Sequence, residues 1–297
     1  MPVLKKESGS YDDFLSAILA YESTIDPNDH EYYEKNYNNP IAVTYQNVES
    51  PGRVVRDQDG HTTSSPTSIK GYFERLGIDK YYTLGSTDPQ MFSRMQHAVL
   101  NYLGFVGYQF SEQDLWDLGY YTHYDEHGLP TYYSDVPVSN WADGVRDKVM
   151  VLPGKGIVHV TDVNTWGGTF TGKDGVNNFN DAIDPEKQDI IARGHFRLKH
   201  RQIVILLAEQ GKTLNDYIGT TIRWDECQPV LTPPTGVPEA VEITMSGLLA
   251  GAHLRGAEGV VALLVDHENR ADENGTAILQ YVYQFGGYDT PFDRDQT

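Results

Sequence analysis

Near the start of the chain Phe14, Leu15, Ile18 and Leu19 recur at helical spacing and predict a helix over residues 11–23, with Asp12 or Asp13 serving its free N-terminal amides. Glu22 lies four positions after Ile18 and seven after Leu15, so it projects from the apolar stripe, where an acid is unusual. From residue 26 to about 101 the pattern turns polar and reads as an insertion of loops and short helices. Only residues 69–76 and 90–103 look helical there, the second with Met91, Met95, Val99 and Leu103 at four-residue intervals. Ser111 with Asp114 makes a helix N-cap, Leu115, Trp116 and Leu118 give the buried side, and Gly119 a stop. In the Tyr- and Pro-rich stretch that follows, residues 149–151 and 157–160 form a hairpin across Pro153-Gly154-Lys155-Gly156. Asp184-Pro185-Glu186 opens a long helix in the order cap, N1 proline, acidic first turn; Ala192, Phe196, Ile203 and Leu206 face inward and Gly211 ends it. Residues 243–266 mix Gly247, Ala250, Gly251 and Ala252 with leucines, which suits a helix approached closely by another, broken near Gly256. The expected fold is mainly α with one small hairpin.

Composition sharpens this picture. With 297 residues and 39% hydrophobic positions, the chain can build one large core, so residues 1–297 are expected to form a single domain carrying the 26–101 insertion. The formal charge of −19 speaks against an unaided grip on nucleic acid or an anionic membrane. The one cysteine, Cys227, cannot close an internal disulfide. After Lys5 and Lys6 the apolar stretch is interrupted by Asp12 and Asp13, so no signal-peptide core follows, and the apolar runs 203–208 and 259–265 are too short to span a bilayer. The expectation is cytoplasmic synthesis, and release by lysis, a phage particle or a dedicated secretion machine for work outside the cytoplasm.

Several chemistries lack their signatures: there is no phosphate loop, paired-Cys motif, HExxH or GxSxG. Asp57 with Asp59-Gly60 reads as a turn, because the other ligands of a calcium loop are missing. Carboxylate chemistry remains. An acid near the end of an apolar helix is what a glycosidase proton donor needs, since burial keeps its proton on near neutrality. The plain alternative for Glu22 is a helix-end carboxylate paired with Lys or Arg.

Glu22-Ser23, then Gly107-Tyr108-Gln109-Phe110, then Gly119-Tyr120-Tyr121 resemble in order the ES(G), GxYQF and GYY elements of phage-tail and effector-type peptidoglycan hydrolases of the lysozyme-like superfamily. Similar pieces follow at 166–178, around Gln188, at 246–254 (SGLLAGAHL) and from 272 to Phe285-Gly286-Gly287-Tyr288-Asp289. The resemblance covers roughly two thirds of the chain. It departs at ESGG, because Ser23 is followed by Thr24 and Ile25, and in the length of the stretch between Glu22 and Gln109.

The resemblance implies a lysozyme-like α+β domain that cleaves the β-1,4 backbone of peptidoglycan, as a muramidase or lytic transglycosylase, with Glu22 as the acid. Tyr108, Gln109, Phe110, Tyr121, Trp166 and His253 become the expected substrate-binding residues, although a core role is an equal reading for Tyr121, Trp166 and His253. No metal or organic cofactor is implied; an immunity protein or a secretion- or tail-apparatus component is the protein partner it leaves room for. Other readings are a glycosidase acting on another polysaccharide, and a glycan-binding or structural module without turnover. Asp26, Glu34, Asp125 and Asp174 are candidates for a second carboxylate, and no spacing rule chooses among them. A transglycosylase needs none, because one Glu can protonate the leaving oxygen and then assist the sugar's own 6-hydroxyl. That mechanism is therefore slightly preferred.

Overall fold

The computed structural model describes residues 7–41, 68–101, 104–124, 131–133, 148–152, 156–161, 164–272 and 275–293. Asp57, Asp59-Gly60, Asp125 and the end of the expected 90–103 helix lie outside them. The described chain is mainly helical, and it divides into two compact units. The boundaries fall after Ile18 and after His195, inside two long helices.

The first unit holds residues 7–18 and 196–293. Helix α1 (Tyr11–Ser23) begins in it. Ser10, not Asp12, heads the helix: its hydroxyl accepts from the Asp13 amide, and the Asp13 carboxylate accepts in return from the Ser10 amide at 2.8 Å. Phe14 is fully buried, its ring 5.0 Å from Phe196 and 5.9 Å from Tyr288.

The core of this unit is α8 (Met245–Asp266) against α9 (Ile278–Gln284), a short helix that the polar residues around it conceal in the sequence. Thr244 caps α8, and its helical path is interrupted at Arg255 and Gly256, where a break was expected. Length and composition alone would let α8 cross a membrane, yet two thirds of that window is buried inside the protein. A Cβ on Gly247 would stand 2.5 Å from the Val282 carbonyl oxygen, so the small-residue stripe is what lets α9 come this close. Ser246 Oγ accepts from the amides of Gly287 and Tyr288 at 3.2 and 3.3 Å, joining the SGLL and FGGY segments. An antiparallel pair, β6 (Thr221–Arg223) with β7 (Ala240–Glu242), completes the unit.

The second unit holds residues 19–41 and 68–195 among those described. It contains the last turn of α1, then α2 (His30–Asn36), α3 (Ile69–Arg75), α4 (Met91–Ala98) and α5 (Glu112–Asp117). Helix α4 stops five residues short of the expected end because Val99 turns to ψ 129°. The expected cap of α5 is present: Ser111 and Asp114 form a reciprocal capping box.

The expected hairpin is β3 (Lys148–Leu152) with β4 (Gly156–Thr161), paired Val149 to His159 and Val151 to Ile157. A third strand, β2 (Thr131–Tyr133), adds to β4 in parallel. A separate pair joins β1 (Tyr121–Thr122) to β5 (Thr169–Phe170). The short α6 (Phe179–Ala182) precedes α7 (Pro185–Glu209), whose first turns belong here. The described part of the expected insertion is integral to this unit and meets the residues after Glu22: Tyr72 of α3 and Gln96 of α4 both hydrogen-bond there.

Candidate functional site

Glu22 sits half-buried in the last turn of α1, where there is no basic residue. The C-terminal end of a helix carries partial negative charge, so a sequence chosen only for stability would put Lys or Arg there. Ser23 and Ile25, just beyond, are fully buried. Thr24 between them has φ +59°, the left-handed conformation that glycine adopts freely and a β-branched residue resists. Thr24 therefore occupies a glycine-like backbone position; its hydroxyl pairs with the Tyr72 hydroxyl at 2.5 Å, which clamps the turn.

Gln109 is brought directly onto this helix end. Its Nε2 donates to the Glu22 carbonyl oxygen at 3.1 Å across 87 positions of sequence. Gln109 also has a left-handed backbone, φ +61°, and its Oε1 accepts from Asn101 Nδ2 at 2.5 Å. Gly107 before it cannot carry a side chain, because a Cβ would collide with the Gln188 amide. The Asn101 carbonyl accepts from the Gly104 amide at 3.0 Å, and the Gly104 carbonyl accepts from Trp166 Nε1 at 2.9 Å. A continuous hydrogen-bonded path thus runs from Glu22 through Gln109 and Asn101 to Trp166.

Trp166 is half-exposed and left-handed, φ +54°. Its ring lies parallel to Phe170 at 6.5 Å and edge-on to Phe179 at 5.2 Å, both also half-exposed. Non-glycine residues held left-handed cost free energy and concentrate at functional sites; Gln109 and Trp166 bring two to this path, and Thr24 adds a third two residues beyond Glu22.

The other expected cleft residues are placed differently. Tyr108, Phe110 and Tyr121 are each 1% exposed and do not line a surface. Tyr108 stacks on Phe110 at 5.5 Å and donates its hydroxyl to Asp189 Oδ1 at 2.8 Å; the Tyr121 hydroxyl accepts from the Gly168 amide at 2.5 Å. Their apolar rings belong to the core, and each hydroxyl has a partner there, as buried tyrosines require. His253 belongs to the first unit, half-buried with its ring 5.7 Å from Phe196.

No family model, curated protein or solved structure matches the chain. The site's own geometry contains two carboxylates that the sequence left unnoticed.

Glu112 is 0% exposed at the start of α5. One of its oxygens accepts from the Trp166 amide, the other stands 3.1 Å from His123 Nδ1, and its own amide donates to Asn164 Oδ1 at 2.8 Å. Burial pushes its carboxyl above the usual range, against the Trp166 amide and the His123 ring, which favour the charge. Asp189, on α7, holds the Tyr108 hydroxyl and His97 Nε2 on Oδ1, the latter at 3.0 Å. Burial raises its carboxyl, but the bond and charge of His97, the Tyr108 hydroxyl and the Arg193 charge outweigh that and leave it below the ordinary range. In sequence Glu112 resembles any acid of a helix first turn, and Asp189 any charge on a mixed helix face; only partners 54 and 81 positions away distinguish them.

Of the sequence candidates for a second carboxylate, Asp26 caps its own turn through the Asn28 amide. Glu34 accepts from the Gly85 amide and pairs with His30, and Asp174 accepts from the Tyr120 hydroxyl. Among the described residues no group of three or more His, Cys, Asp or Glu could hold a metal ion.

Proposed function

We propose that this protein cleaves a β-1,4-linked glycan of the peptidoglycan type, with Glu22 as the proton donor to the leaving oxygen. The observation that carries this reading is the Gln109 side chain on the Glu22 carbonyl, which unites the two segments that resemble the ES and YQF elements of lysozyme-like hydrolases. The half-exposed Trp166, Phe170 and Phe179 support it, because the apolar faces of sugar rings stack on aromatic side chains in the way other apolar groups do. The same aromatic surface favours a second reading, a glycan-binding module without turnover.

The test is digestion of purified sacculi by the protein and by Glu22→Gln, with mass analysis of soluble products. Glutamine keeps the size of the side chain but has no proton to deliver, and general acid catalysis is worth about 10²–10⁴ in rate. Cleavage by the unaltered protein with a loss of that size in the variant is the expected result. Binding to sacculi without release of fragments would favour the module.

A further inference from the structure

Glu22 and Asp189 lie on different elements, yet Asp189 and the chain from Glu22 to Ile25 are held by consecutive residues of the same two supports. On α4, Gln96 Nε2 donates to the Ile25 carbonyl at 2.8 Å, and the next residue, His97, meets Asp189. On the 107–110 turn, Tyr108 donates to the Asp189 carboxylate, and the next residue, Gln109, donates to the Glu22 backbone carbonyl. Gln188 ties the arrangement together, its Nε2 donating to the His97 carbonyl at 3.0 Å. Two carboxylate-bearing segments are thus held against one shared frame inside one unit.

Asp189 also has the form that a catalytic base needs. Oδ1 is fixed by a buried hydroxyl and by His97, whose other ring nitrogen is held at 2.7 Å by the Ser93 carbonyl. Oδ2 makes no hydrogen bond among the described residues, and the side chain is 44% exposed, so water reaches it. This carboxylate is held by groups from two other segments of the chain. Glu112, by contrast, is sealed from solvent with both oxygens engaged.

We propose that Asp189 is the second carboxylate of the reaction, the base that takes a proton from the attacking water. The inference rests on the glycan-cleavage reading above and deepens it. Glu22 gives its proton to the glycosidic oxygen as the bond from C1 to that oxygen breaks. The water oxygen bonds to C1, and the proton it loses goes to Asp189; solvent then restores both carboxyl groups. The balanced outcome is hydrolysis, consuming one water per bond, rather than an anhydro sugar. The depressed carboxyl keeps Asp189 ionised well into the acid range, as a base must be.

The experiment uses the full-length chain, Asp189→Asn and Asp189→Ala, each checked for an unchanged thermal midpoint, with sacculi as substrate and sodium azide as added nucleophile. Expected are a reducing-end product from the unaltered protein, a loss of about 10²–10⁴-fold in both variants, and azide-dependent recovery in the alanine variant with an α-glycosyl azide product. A purely structural aspartate yields no such azide product. Anhydro products from the unaltered protein, variants within a few-fold of it, or a loss that azide does not rescue would each overturn the inference while leaving glycan cleavage standing. Absence of any cleavage by the unaltered protein would remove the underlying reading and this inference with it.

Discussion

Glu112 shows how much a single residue's meaning depends on its surroundings. A neutral carboxyl is favoured in its buried pocket, so its folded pKa lies above its unfolded one. The stability linked to it is then fully present below the unfolded pKa, about 4.3, and is lost as pH rises through the higher folded pKa. Glu112→Gln keeps an acceptor for the Trp166 amide and removes the titration. Relative to this variant, the unaltered protein should lose stability as pH rises above the unfolded value of about 4.3, at a slope of up to about 1.4 kcal/mol for each pH unit. Urea unfolding at several pH values measures the difference, and a constant gap across that range would count against it. Tyr108 carries the same lesson: its place in a motif suggested contact with sugar, whereas its burial makes it a support for Asp189.

At the scale of elements, two glycines in helices predict opposite outcomes. Gly247 of α8 faces the Val282 carbonyl so closely that a methyl group must displace backbone, and Gly247→Ala should cost about 1–3 kcal/mol by overpacking. Gly194 of α7 meets nothing nearer than Leu118 at 3.8 Å, so Gly194→Ala should stabilise by roughly 0.4–1 kcal/mol through the unfolded chain. Thermal midpoints moving in opposite directions are expected; a rise in both would mean that α9 is not held against α8. Helices α1, α5, α7 and α8 were legible because each joins an apolar period to a local start or stop signal. The pairs β1–β5 and β6–β7 were not, since strands of two or three residues are too short to show a period and are held by partners elsewhere in the chain.

For the molecule as a whole, the charge of −19 sets a background of self-repulsion. Raising ionic strength from about 0.01 M to about 0.1 M shortens the screening length from about 30 Å to about 10 Å. The thermal midpoint should therefore rise, because surface ion pairs such as Arg94 with Asp88 contribute too little to reverse the trend. A fall on adding salt would show that attractive pairs dominate instead.

Local chemistry alone determined the helical class, the capping of α5, the break in α8, the hairpin at 148–161 and the unusual place of Glu22 on an apolar stripe, whereas Gln109 drew attention only through the resemblance. These follow from signals spread over a few neighbouring positions, where side-chain period and cap geometry act directly on the backbone. Tertiary structure decided which acids are sealed, which are held and which face water, because desolvation and hydrogen bonding depend on groups brought from far along the chain. Glu112 and Asp189 differ by nothing that their neighbours in sequence reveal. Folding places one under the Trp166 loop and the other, with a free oxygen, beside the frame that holds Glu22.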